Sequence, residues 1–98
     1  MTFDPSDRFS LRDDLVVEKI DDEVVVLDLA GNQYFGLNEV AWLIWQAIDE
    51  DDQTLGEIVA SMAASFEIDE QQARGDAEAF LEQLVDAELA SRRAEDDT

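Results

Sequence analysis

Carboxylates are the one chemical group this sequence has in quantity. The chain carries 26 Asp and Glu against 6 Lys and Arg, a formal net charge of −20, with neither cysteine nor histidine. That inventory removes thiolate nucleophiles, Ser-His and Cys-His catalysis, disulfides and the usual zinc ligands in one step. Calcium binding and paired acid–base work are what remain. The densest acidic run, Asp49-Glu50-Asp51-Asp52, fails the first: counted from Asp49, the sixth position is Thr54 where the loop needs Gly, and the twelfth is Ala60 where it needs a bidentate Glu. No carboxylate pair stands in an identifiable constellation beside an apolar pocket, so no catalytic residue, no metal and no cofactor is expected. Among the bases, Arg74 stands alone beside the acids Asp69, Glu70, Asp76, Glu78, Glu82, Asp86 and Glu88. Such an arginine either pairs with Glu70 or Glu78 along a helix or holds the carboxylate of a ligand.

The elements that would position these residues follow from the hydrophobic period. The 98 residues, 46% apolar, suffice for one core and not for two. Residues 1–14 are polar and aperiodic, and read as a flexible arm that becomes ordered near Phe9 and Leu11. Residues 15–20, 23–29 and 32–37 are β-branched or alternating runs separated by the short breaks Asp21-Asp22 and Ala30-Gly31, which predicts a three-stranded antiparallel meander. From Asn38, a good N-cap, to Ile48 almost every residue is apolar, which predicts a central helix. Thr54 and Glu57 form a capping box before a second helix with Leu55, Ile58, Val59, Met62 and Phe66 on its inner face. Asp69, with Gln72 three residues on, opens a third helix reaching about residue 90, with a core stripe of Ala73, Ala77, Phe80, Leu84 and Ala87 and with Leu81 and Val85 beside it. Residues 91–98 read as a disordered acidic tail. The fold class is therefore α+β, a winged helix-turn-helix-like order of three strands followed by three helices, in one domain over residues 15–90.

That order is common among DNA-binding proteins, but the charge argues against it. A helix in the major groove needs cations for phosphates, and the third helix here offers one base among seven acids. The same surface repels nucleic acid in general and anionic lipid headgroups. No segment approaches transmembrane length and none resembles a signal peptide, so the expected location is cytoplasmic.

The succession "VVVLDLAGNQYFGLNEVAWLIWQAID", "TLGEIVASMAASFEID" and "DAEAFLEQLVDAELA" resembles the PqqD-like proteins, also called RiPP recognition elements, over about residues 9–90. The most specific parts are the strand leading into Leu37-Asn38, the placing of Trp45 before Ile48, the Thr54-x-x-Glu57-Ile58 helix start and the closing Phe80-Leu81-x-x-Leu84 pattern. The resemblance implies a non-catalytic module that takes the leader segment of a ribosomally made precursor peptide as an extra strand. It also implies presentation of that peptide to a modifying enzyme such as a leader peptidase, a cyclase or a radical SAM enzyme, in lasso-peptide, radical-enzyme or quinone-cofactor pathways. Carried onto this chain, the edge is Asn32, Gln33, Tyr34, Phe35, Gly36 and Leu37, and the helix wall is Arg74, Ala77, Glu78, Leu81 and Val85. Phe35 and Leu37 also read as core, Tyr34 as either a surface cover or a contact, and Trp42 and Trp45 as core. The alternative reading is a homodimeric adaptor that pairs the same sheet edge with itself.

Overall fold

The computed structural model describes residues 3–93. Three antiparallel strands come before three helices, as expected: β2 (Val16–Ile20), β3 (Glu23–Asp28) and β4 (Gln33–Leu37), then α1 (Glu39–Asp49), α2 (Leu55–Phe66) and α3 (Glu70–Asp86). Two further strands flank them, β1 (Arg8–Leu11) and β5 (Ala90–Arg93), which pair with each other in a separate two-stranded sheet.

Local chemistry sets the boundaries. Asp21 (φ 57°) and Asn32 (φ 55°) take the left-handed conformation that the two strand turns require, a region Asp and Asn enter more readily than most residues. Asn38 accepts from the Ala41 N–H at 2.8 Å and so starts α1. Thr54 and Glu57 complete a reciprocal capping box at α2, with bonds of 2.8 and 3.2 Å. Asp69 accepts from the Gln72 N–H at 2.9 Å and starts α3. Each cap satisfies donors that a helix leaves open at its first turn.

The sheet β2-β3-β4 turns Val24, Val26, Phe35 and Leu37 inward, where they meet Ile44, Trp45 and Ile48 of α1. Ile58 and Met62 of α2 and Ala73, Ala77, Leu81 and Leu84 of α3 close the core from the other side. Trp45 is core, as expected, whereas Trp42 is half-buried beneath the Lys19 ammonium, 5.4 Å from its ring centre. Gly75 has open space where a Cβ would stand, so its place in α3 reflects tolerance rather than a close approach.

Two sequence expectations are corrected here. The first concerns the ends of the domain. Phe3 is buried and sits edge-on to Phe9, with ring centres 5.1 Å apart, so the N-terminal arm is part of the fold. Its carbonyls at Pro5 and Asp7 accept from the N–H groups of Gly56 and Leu55, both at 2.9 Å, and thus finish the α2 N-terminus. Its Asp7 carboxylate, also buried, receives Arg92 Nε of β5 at 2.5 Å. Ser91, Arg92 and Arg93, assigned to the tail, are strand, and the third helix stops at Asp86 rather than near residue 90. The remainder of the expected tail, residues 94–98, lies outside the described residues. The second correction concerns α3, whose buried stripe holds Ala73, Ala77 and Leu84 as expected but takes Leu81 in place of Phe80. Leu81 is fully buried and Phe80 only half-buried, the reverse of the expected order.

Candidate functional site

In the order β2-β3-β4 the last strand pairs with β3 along one side and, among the described residues, has no strand neighbour on the other. An edge of this kind presents a row of backbone donors and acceptors to whatever extended chain can reach it. The two faces of β4 differ. Phe35 and Leu37 point inward opposite Val26 and Val24, while Tyr34, opposite Leu27, stands on the outer face with 73% of its surface exposed. Gly36 adds no side chain, and nothing lies within 4 Å of where its Cβ would be.

Just beyond Leu37, a hollow of about 370 Å³ opens between the first turn of α1 and the flank of α3. Asn38, Val40 and Ala41 line it from α1, and Asp76, Ala79, Phe80 and Gln83 from α3. The four α3 residues recur at intervals of three and four and so share one helix face. The lining is apolar at Val40, Ala41, Ala79 and Phe80 and polar at Asn38, Asp76 and Gln83, and Asn38 directly follows the last residue of β4. A larger hollow, of about 550 Å³, lies away from β4, among β1, the start of β2 and the end of α1.

The helix wall expected from the sequence is not brought to this edge. Ala77 and Leu81 have no exposed surface at all. Arg74 and Glu78 pair at 3.5 Å, and Arg74 also donates to the Phe3 carbonyl at 3.1 Å, which places both on the side of the N-terminal arm. Val85 lines a separate hollow with Leu11, Arg12 and Ala90. With Leu81 in the core in place of Phe80, Arg74 and Glu78 lie toward the arm and Val85 toward Leu11 and Ala90, while Phe80 lines the hollow with Asn38. The spacing Asp76-x-x-Ala79-Phe80-x-x-Gln83 is visible in the sequence, but assigning Phe80 to the core conceals it.

The start of β4 is held by a second, polar arrangement. Asp28, the last residue of β3, faces inward and is 1% exposed. Its Oδ1 accepts from Arg12 Nη2 at 2.9 Å and from the Gly31 N–H at 3.0 Å, and its Oδ2 from Gln33 Nε2 at 3.0 Å and Arg12 Nη1 at 3.1 Å. The Gln33 amide, the Arg12 guanidinium and the Gly31 N–H together hold the Asp28 carboxyl down to about 2. Arg12 also binds Asp14 at 2.9 Å and the Glu88 carbonyl at 3.3 Å, and its own pKa is raised, first by Asp14 and then by Asp28.

The bases are engaged within the chain. Arg8 and Arg93 pair with Asp52, Arg12 with Asp14 and Asp28, Arg74 with Glu78, Arg92 with Asp7, and Lys19 covers Trp42. With 26 carboxylates to six bases, most of the carboxylates have no base of their own to neutralise them. Among the described residues no group of three or more His, Cys, Asp or Glu could hold a metal ion, and no helix is long and apolar enough to cross a membrane.

The family model described as PqqD, coenzyme PQQ synthesis protein D, matches residues 23–90. No curated protein sequence matches the chain. Among solved structures, TbiB1 in complex with the TbiA(beta) leader peptide is 36% identical, with a TM-score of 0.74 over 83% of this chain and 93% of that one. A lasso peptide synthetase B1 complexed with the leader peptide is 26% identical, with a TM-score of 0.76 over 85% of this chain and 96% of that one.

Proposed function

The chain belongs to the PqqD family, and from that premise we propose that it binds the leader segment of a ribosomally synthesised precursor peptide, which joins the sheet as a further strand along the free edge of β4. The observation that carries this reading is the unpaired β4 edge, with a hollow at its end, on a fold shared at 36% identity with a protein seen holding a leader peptide. Strand addition draws affinity from main-chain bonds and selectivity from side-chain pockets. Each main-chain bond contributes on the order of 1 kcal/mol net, and the peptide loses about 1–2 kcal/mol of backbone entropy per residue ordered. The main chain alone therefore yields little net affinity and, being common to all peptides, no discrimination between leaders. Side chains reaching the hollow at Val40, Ala79 and Phe80, or lying beside Tyr34, supply the difference.

The module is not itself an enzyme in this reading. It presents the bound peptide to a modifying enzyme, for which a leader peptidase or cyclase of a lasso-peptide pathway is favoured by the two B1 relatives over a radical SAM enzyme or a quinone-cofactor pathway. Pairing of β4 with a second copy of the chain would compete for the same edge. The direct test is titration of fluorescein-labelled TbiA(beta) leader peptide by anisotropy, with a scrambled peptide as control and sedimentation of the mixture. Saturable one-to-one binding of the leader alone is expected. A stable homodimer that binds neither peptide would refute the reading.

A further inference from the structure

Asp28 is costly where it stands. A carboxylate removed from water needs its lone pairs filled, and a buried ion pair commonly stabilises a fold no better than apolar side chains of similar volume. Asp28 meets the first condition with four donors, two on each oxygen. What the arrangement provides beyond stability is position. Its donors come from the turn leading to β4 (Gly31), from the first residue of β4 (Gln33) and from the link between β1 and β2 (Arg12), and Arg12 passes the connection on to the Glu88 carbonyl behind α3. The geometry at the turn is close: a Cβ on Gly31 would stand 2.5 Å from Asp28 Oδ2.

We infer that Asp28 and Arg12 are positioning residues for leader binding, fixing the entrance of β4 against the C-terminal end of α3 so that the free edge is already ordered when the peptide arrives. The inference rests on the leader-binding reading above. Its physical basis is preorganisation: an edge that must first be ordered subtracts that cost from the affinity, whereas a locked edge does not. Neither residue needs to touch the peptide.

The chain supplies its own control. Asp7 is an equally buried carboxylate, paired with Arg92 at 2.5 Å and with the Asp4 N–H at 2.8 Å, but it ties the arm to β5, away from β4. Asp28→Asn and Asp7→Asn therefore remove the same charge from similarly buried sites. Two quantities are measured for each folded variant: affinity for labelled TbiA(beta) leader peptide, and amide hydrogen exchange of Gln33 to Leu37 in the free protein. Asp28→Asn is expected to weaken binding about tenfold and to speed exchange along β4 to a similar degree. Asp7→Asn is expected to lower the melting temperature and change neither quantity. Arg12→Gln should reproduce the Asp28→Asn effect, with Arg12→Lys intermediate because it keeps the charge and a donor. Affinity within twofold of wild type for Asp28→Asn, unchanged β4 exchange, or an equal loss in Asp7→Asn would each overturn the inference. Absence of binding by the wild-type protein would instead remove the leader-binding reading, while the exchange comparison would still decide whether Asp28 orders β4.

Discussion

At the scale of single residues, Asp28 makes a prediction with a definite sign. Its carboxyl titrates at about 2 in the folded protein against an ordinary value of 3.8. Between those values the unfolded chain binds the proton and the folded chain does not, so stability rises with pH there. The contribution is complete above about pH 4 and is lost as pH falls through about 2. Urea denaturation of wild type and Asp28→Asn should therefore show a stability difference that closes across that interval, and a constant difference would refute the titration argument. Asp4, also lowered, is common to both proteins and cancels, whereas Asp14 shares Arg12 with Asp28 and responds to the substitution, so both proteins carry Asp14→Asn in this comparison. A second residue-scale prediction separates core from site on α3. Leu81→Ala should cost about 2–5 kcal/mol, as a buried leucine does, and alter binding only through unfolding. Phe80→Ala, on the hollow, should weaken leader binding several-fold at a smaller cost in stability. The sequence shows that α3 has a broad apolar arc, but Phe80 and Leu81 are neighbours of comparable hydrophobicity, and periodicity alone does not say which of them points inward. The burial of Leu81 in the core shared by all three helices decides it.

At the scale of elements, the strands, caps and helix starts were legible where each has a local cause, in the turn at Asp21, the Asn38 and Asp69 caps and the Thr54-Glu57 box, whereas Asn32, expected as the first residue of the edge strand, is a left-handed turn residue and β4 starts at Gln33. The β1–β5 pairing was not legible, since both strands are four residues long, too short to show a period, and are joined across most of the chain, with register set by partners such as Leu11 and Ala90 that no local pattern connects. The arm followed the same logic: Phe3 reads as an isolated apolar residue until Phe9 and the α2 N-terminus are placed around it. Phe3→Ala is accordingly expected to destabilise the fold by about 3 kcal/mol in chemical denaturation, where a flexible arm would give no change. For β4 the element-scale test is backbone chemistry. In an antiparallel ladder the N–H and C=O of a residue point together toward one side, and the side alternates along the strand. Of Tyr34→Pro and Phe35→Pro, one should therefore break the β3 ladder and lower the melting temperature, while the other removes an outward donor and abolishes binding in a protein that stays folded. If both variants fold and bind as wild type does, β4 is not the docking edge.

At the scale of the whole molecule, the decisive fact is that the bases are engaged internally while a net charge of −20 is carried outward. A field of one sign acts on a charged peptide before contact, so it governs the rate of encounter more than the strength of the final complex. At about 0.1 M salt the screening length is about 10 Å, short beside the protein itself, whose Cα radius of gyration is 13.2 Å. Added salt should thus cut association first. For a leader peptide extended by two lysines, the association rate measured by stopped flow should fall roughly tenfold between about 20 and 500 mM NaCl, with dissociation changing far less. The same peptide extended by two glutamates should associate more slowly at low salt and speed up as salt is added. The opposed slopes are the test, because changes in peptide folding or ionic activity would move both peptides in one direction. Two slopes of the same sign would mean that the carboxylates near β4, Asp76 among them, are not felt by the incoming strand. The acidity would then serve solubility alone, and a basic partner would have to be sought at another face.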